Sequence, residues 1–131
     1  MKQTFRSHNS TLARTPFNAK RATYIAESKF QTLVEELAAY CGWTTFHLNA
    51  PQRSPAGFPD LVMFRDRIIF AELKVRRPSD GRMGKLAPAQ IEYAHTIQRA
   101  QGEYYSWLFP DDKDEIARVL ARPGQTVEWT S

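Results

Sequence analysis

The sequence has few of the residues that mark disulfide-linked, zinc-binding or membrane-spanning proteins. Its 131 residues include one cysteine, Cys41, so neither a disulfide framework nor a cysteine-rich zinc site can form within the chain. No apolar run approaches the roughly 18 residues that a membrane span requires. The N-terminal residues include no apolar segment, so we expect no secretory signal. The lone cysteine fits a reducing, cytoplasmic location.

Charge is ordinary in amount but uneven along the chain. Eighteen Lys and Arg residues against fourteen Asp and Glu residues give a net charge of +4. This excess permits a nucleic-acid partner without requiring one. Residues 1–29 hold six basic side chains and one acid, and residues 74–85 hold five basic side chains and one acid. Two interpretations stay open at this point: both segments contact an anionic partner, or both are solvated surface.

Hydrophobic periodicity predicts one α/β domain over residues 23–131 after a basic, extended arm at residues 1–22. Phe30, Val34 and Leu37 recur at helical spacing, which predicts a helix from about residue 23 to 41. The order is α-β-β-β-α-β-α, with helices flanking a mixed central sheet. The remaining predicted elements are a strand at 43–48, a hairpin at 57–75, a helix at 88–101, a strand at 104–109, a helix at 111–120 and a weak strand around Val127 and Trp129.

The hairpin carries three charges that a plain buried hairpin does not need. Side chains alternate between the faces of a strand, so Glu72 and Lys74 share a face. A turn at residues 65–67 sets a register in which Asp60 lies opposite Glu72, with Cβ atoms about 5 Å apart. A slip of one residue would place the two acids on different faces.

Two facing acids on a partly buried surface require a cation, or one of them must hold a proton. Lys74, about 7 Å along the strand from Glu72, is one candidate cation. A divalent ion such as Mg²⁺, which takes carboxylate oxygens and keeps several waters, is another. The structural alternative is that Asp60 caps a turn while Glu72 and Lys74 form a solvent-facing pair.

Three short motifs carry a resemblance to a nuclease family. They are GFPDL at 57–61, ELK at 72–74 and LAPAQ at 86–90. Together they resemble the signature of the PD-(D/E)XK nucleases, and in detail that of the VRR-NUC (virus-type replication-repair nuclease) family. The resemblance covers about residues 26–120.

The resemblance implies a restriction-endonuclease-like fold and a metal-dependent DNA endonuclease. It implies that Asp60 and Glu72 bind Mg²⁺ or Mn²⁺ and that Lys74 assists the attacking water. It also implies a supporting role for Gln90 and an acid on the first helix that helps to position metal or water. In this sequence the motif that supplies such an acid looks like Glu27 followed by Gln31.

Helix geometry also favours Glu27 over the two other acids of that helix. With Phe30 at 0°, Glu27 falls at roughly 60°, at the edge of the buried face. Glu35 falls at roughly 140° and Glu36 at roughly 240°, away from that face. A helix N-terminal acid favoured by the helix dipole would sit at Glu27 as well.

The basic loop after the hairpin is the expected contact with DNA phosphates; its candidate residues are Arg76, Arg77, Arg82 and Lys85. Stand-alone proteins of the family resemble Holliday-junction resolvases, which implies branched DNA as substrate, a homodimer, and a role in replication, recombination or repair in a bacterial or phage-infected cell. The alternatives are a catalytically silent DNA-binding module with the nuclease fold and a protein-interaction domain.

Overall fold

The computed structural model describes residues 4–8, 24–47 and 55–130. The rest of the arm, at residues 1–3 and 9–22, therefore lies outside the described residues. No helix in these ranges is long and apolar enough to cross a membrane. The elements in chain order are β1 (Thr4–His8), α1 (Glu27–Tyr40), β2 (Thr44–Phe46), β3 (Leu61–Phe64), β4 (Ile68–Val75), α2 (Pro88–Arg99), β5 (Glu103–Phe109), α3 (Lys113–Leu120) and β6 (Thr126–Thr130).

The central sheet is mixed, and its strand order is β2-β3-β4-β5. The pairs β2–β3 and β3–β4 are antiparallel, and α2 crosses over to bring β5 parallel to β4. In the hairpin, Phe64 pairs with Ile68 and Val62 pairs with Phe70. The predicted mixed α/β fold, its element order from α1 to α3 and the hairpin register are confirmed.

One face of the sheet holds the main core. Ile69, Ala71 and Leu73 alternate along β4 and are at most 1% exposed, and the apolar sides of α1 and α3 pack onto them. This is the burial expected for side chains two residues apart on a strand. The core members from the helices and β5 are Phe30, Leu33, Val34, Leu37, Ala38, Trp107, Phe109, Ile116, Ala117 and Leu120.

Helix α2 lies on the opposite face, where the hairpin charges point. Phe58, in the loop before β3, packs edge-on against Phe70 of β4 and against Tyr93 of α2, with ring centroids 6.4 and 5.7 Å apart. These aromatic contacts fix the loop between sheet and helix. The open end of the hairpin, where β3 begins and β4 ends, therefore lies next to α2.

A second, two-stranded sheet pairs β1 with β6 in antiparallel register. The predicted strand around Val127 and Trp129 is thus β6. The sequence analysis predicts an extended arm but no strand at Thr4–His8, because that segment is polar and lacks an alternating apolar pattern. The strand forms through pairing with the far end of the chain, which a local pattern does not reveal.

Arg65, in the hairpin turn, links the hairpin to helices α1 and α3. The Arg65 guanidinium donates to the Cys41 and Leu120 carbonyls at 3.0 and 3.1 Å, and so it caps the C-terminal ends of α1 and α3. It also lies 4.4 Å from the Trp43 ring centroid. Cations at helix C-termini and over an indole face are both favourable. The turn lacks the glycine that usually favours such loops. The contacts of Arg65 stabilise the turn instead.

Candidate metal-binding and catalytic site

Asp60 and Glu72 meet at the open end of the hairpin. Asp60 precedes the first residue of β3, and its Oδ2 accepts a hydrogen bond from the Leu73 N–H at 2.7 Å. This bond between a side chain and the backbone extends the β3–β4 hydrogen bonding by one position. It therefore fixes the position of the Asp60 carboxyl group. Glu72 is 2% exposed and lies within hydrogen-bonding range of the Asp60 carboxyl.

The environment of Glu72 strongly favours its protonated form. Burial, followed by the neighbouring Asp60 carboxylate, raises the pKa of Glu72 to about 8. Lys74 acts in the opposite direction, with its Nζ 3.9 Å from Glu72 Oε1. Because this attraction does not offset burial and like charge, Glu72 holds its proton near neutral pH when no further cation is present.

Gln90 ties the start of α2 to Glu72. Its Nε2 donates to Glu72 Oε1 at 2.7 Å, and its Oε1 accepts from the Ala87 N–H at 2.7 Å. The amide therefore caps the helix and fixes the carboxyl with its two ends. This is the position of the glutamine that the sequence analysis predicted to support the site.

Gly57 permits the loop before β3, which carries the GFPDL motif, to approach α2 closely. Its φ is +84°, and a Cβ there would lie 2.4 Å from the Ala89 carbonyl carbon and oxygen and 2.7 Å from the Gln90 nitrogen. Only glycine fits this backbone contact without displacement. Gly57 therefore sets the distance between the loop that carries Asp60 and the helix turn that carries Gln90.

Replacing Gly57 with alanine should displace this turn. We expect Gly57→Ala to lower the free energy of unfolding by about 2 kcal/mol or more, because it adds left-handed backbone strain to a steric clash. Urea unfolding would measure the change. Gly84→Ala is the matched control, since no atom lies within 4 Å of a Cβ there. Equal stability of the two variants would contradict this account.

The three acids of α1 have different surroundings. Glu27 is exposed at the start of α1, yet its carboxyl is close enough to Asp60 and Lys74 for both to affect its pKa, which is raised chiefly by partial burial. The Glu35 Oε2 atom instead lies 3.5 Å from His47 Nδ1, and Glu36 is exposed. Of the three acids, Glu27 is therefore the one that interacts with the Asp60–Lys74 end of the hairpin, and its role in positioning metal or water stays a prediction.

The basic loop after β4 contains one internally bound arginine and three exposed cations. Arg76 makes a two-pronged ion pair with Asp111, at 2.8 and 2.5 Å, and donates to the Gly81 carbonyl. Arg77 pairs with Asp80 at 2.8 Å and is exposed. Arg82 and Lys85 are exposed as well. The geometry gives Arg76 a role in holding the loop, whereas phosphate contact by all four residues stays a prediction.

No sequence pattern marks Tyr104 as a site residue. It lies on β5 opposite Phe70, and its pKa is raised by burial and by the Glu72 and Asp60 carboxylates. Strand alternation shows that Tyr104 and Tyr105 face opposite sides. The register of β5 against β4 decides which of the two tyrosines faces the site. That register depends on the crossover through α2, and no local sequence pattern fixes it.

The donor set fits a divalent ion with oxygen ligands. Mg²⁺ usually binds one or two carboxylates and retains water, and Asp60 and Glu72 supply such a pair. In the described ranges, no group of three or more His, Cys, Asp and Glu side chains is arranged to hold a metal. The residues that the structure describes therefore supply a two-carboxylate site rather than a set of three or more protein ligands.

Comparison with known proteins bears on the fold. No protein-family model matches the sequence, and no curated protein matches it significantly. A solved structure described as a VRR_NUC domain is 18% identical with a TM-score of 0.53, over 72% of this chain and 92% of that one. A second, described as a VRR_NUC domain protein, is 17% identical with a TM-score of 0.53, over 74% and 87% of the two chains. This chain therefore has the fold of these VRR_NUC domain structures, as the motifs at residues 57–90 led us to expect.

Proposed function

We propose that this chain is a VRR-NUC family nuclease that hydrolyses phosphodiester bonds in DNA with Mg²⁺ or Mn²⁺. The observation that carries the proposal is the pairing of a half-buried Asp60, held by the Leu73 N–H, with a buried Glu72, which lies beside Lys74 and is held by Gln90. Two acids that face each other at the end of two neighbouring strands are unfavourable without a cation. A nuclease site is a chemical reason for keeping them.

The residues divide the work by position. Asp60 and Glu72 would hold the ion, which when bound polarises the phosphate and lowers the pKa of a bound water. Lys74 orients the attacking water and stabilises charge on the phosphate. Glu27 helps to position metal or water from the α1 side, and Gln90 keeps the Glu72 carboxyl oriented. The water oxygen bonds to phosphorus as the bond to the leaving sugar oxygen breaks, and the proton that the water loses passes through solvent to that leaving oxygen.

The exposed cations beside the site favour DNA as the substrate. Arg77, Arg82 and Lys85 follow Lys74 on the loop after β4, where they would meet a phosphate backbone. We propose branched DNA, including four-way junctions, as the preferred form and a homodimer as the acting species, because a dimer presents two sites to two strands. Replication, recombination or repair is the corresponding cellular setting.

The decisive experiment is a cleavage panel with purified protein. Linear, flap and four-way DNA are incubated with Mg²⁺, Mn²⁺ or EDTA. We expect cleavage with either metal, none with EDTA, and faster cutting of a branched substrate. Light scattering of the protein alone and with junction DNA tests the homodimer.

A second measurement tests metal binding without relying on activity. At pH 8 we expect Mg²⁺ to raise the melting temperature of the wild-type protein, because the ion binds the folded state. No cleavage with either metal on any DNA, together with retained DNA binding at low salt, would favour the silent DNA-binding module instead. Loss of both would leave a protein-interaction domain.

A further inference from the structure

Tyr104 lies on β5, on the same face of the sheet as Glu72 of the neighbouring strand β4. In the parallel β4–β5 register it pairs with Phe70, while Ser106 pairs with Glu72. Paired residues of neighbouring strands project to one side, so Tyr104 shares the face of Phe70 and Glu72. Both Glu72 and Asp60 are close enough to affect its phenol electrostatically. The ring therefore belongs to the site by position.

The Tyr104 hydroxyl has no hydrogen-bond partner among the side chains and backbone that the structure describes. The neighbouring Tyr105 faces the other side, and its hydroxyl donates to Glu103 Oε2 at 2.7 Å. Among the described residues, the Tyr104 hydroxyl is not one of the buried polar atoms that lack a partner, so it is open to water or to a ligand. Of these two adjacent tyrosines, Tyr104 is therefore the one whose hydroxyl can donate to a ligand on the face of Glu72.

A tyrosine hydroxyl is a hydrogen-bond donor at neutral pH. Its ordinary pKa is about 10, so it holds its proton throughout the pH range in which a nuclease is assayed. A neutral O–H adds no charge to a site that already contains acids and a lysine. A ligand that meets it there must bring an acceptor.

We propose that Tyr104 is a further catalytic residue, whose hydroxyl donates a hydrogen bond to a non-bridging oxygen of the phosphodiester. The inference rests on the proposed function and adds a group to that site. Phosphate oxygens are acceptors only, and they gain charge as the reaction proceeds. The cation beside Glu72, Lys74, is 18% exposed and lies 3.9 Å from the Glu72 carboxyl oxygen. A neutral donor on the β5 side would stabilise the phosphate without competing for the carboxylates.

Tyr104→Phe tests the donor and Tyr105→Phe is its matched control. Each change removes one hydroxyl from β5 and keeps the ring. We expect Tyr104→Phe to slow single-turnover cleavage about 100-fold, the typical cost of losing one such donor, with DNA affinity and urea unfolding unchanged. Tyr105→Phe should retain the wild-type rate, because its hydroxyl serves Glu103 on the other face.

Phosphorothioate substrates distinguish a contact with phosphate from a structural role. Sulfur replaces one non-bridging oxygen at the cleaved bond, in either of two diastereomers. We expect Tyr104→Phe to slow the normal substrate and one diastereomer strongly, and to have little further effect on the diastereomer that lacks the accepting oxygen. Equal slowing of all three substrates would overturn the proposal.

The outcomes also separate this inference from the proposed function. Wild-type cleavage with an unchanged rate in Tyr104→Phe would overturn the inference alone. Absence of wild-type cleavage would overturn both.

Discussion

Asp60→Asn should abolish metal-dependent cleavage while leaving the fold intact. The side-chain oxygen of Asn can still accept the hydrogen bond from the Leu73 N–H that now reaches Asp60 Oδ2 at 2.7 Å, so the end of the hairpin keeps its shape. The variant loses a negative ligand, and with it several kcal/mol of transition-state stabilisation, equivalent to about 10³-fold or more in rate. Single-turnover assays with saturating protein would measure the loss.

Asp66→Asn is the matched control for this variant. Asp66 lies in the exposed turn at the other end of the hairpin, where it pairs with Arg65, and we expect its replacement to leave the rate unchanged. DNA binding at low salt should be similar for both variants and the wild-type protein, because the exposed cations after β4 are retained. Residual cutting by Asp60→Asn near the wild-type rate would mean that the metal ligands lie elsewhere.

The hairpin register could be predicted because two local signals agree. The alternation of apolar residues along β4 assigns one face to the core, and a three-residue turn then places Asp60 opposite Glu72. The structure adds the hydrogen bond between Asp60 and Leu73 N–H, which closes the pair beyond the last strand residue. Sequence pattern gives the facing of side chains, but side-chain-to-backbone bonds of this kind depend on where the chain bends.

Contacts between distant parts of the chain could not be predicted in the same way. Arg76 was expected at DNA phosphates, yet it is bound to Asp111, 35 residues away. Tyr104 reaches the site because α2 returns the chain parallel to β4, and the register of a parallel neighbour is not encoded in a local turn. The motif residues were found because they lie within one hairpin and one helix turn. Their partners come from separate elements.

Glu72→Gln should make the metal-free protein more stable at alkaline pH while destroying its activity. The folded-state pKa of Glu72 is raised to about 8 by burial and Asp60, whereas an unfolded glutamate titrates near its ordinary value, about 4.3. Between these values the folded state holds a proton that the unfolded state has released. By linkage, the free energy of unfolding then falls as pH rises.

Each pKa unit corresponds to about 1.4 kcal/mol, so the wild-type protein should lose a few kcal/mol between about pH 4.5 and 8 through this group, with no further loss above that range. A glutamine has no charge to desolvate, and its side-chain oxygen can still accept from Gln90 Nε2. The difference in unfolding free energy between variant and wild type should therefore be near zero at pH 4 and favour the variant at pH 8.

Urea titrations in EDTA at pH 4, 6 and 8 would measure this difference. Glu36→Gln, at an exposed position of α1, is the control and should show no such trend. Mg²⁺ at pH 8 should stabilise the wild-type protein and not Glu72→Gln, since the ion takes the place of the proton that the buried pair otherwise holds. The opposite trend would contradict this account. If the wild-type protein gained stability relative to Glu72→Gln from pH 4 to 8 in EDTA, the folded state would favour the ionised form of Glu72 without a metal ion, and the site would need no further cation.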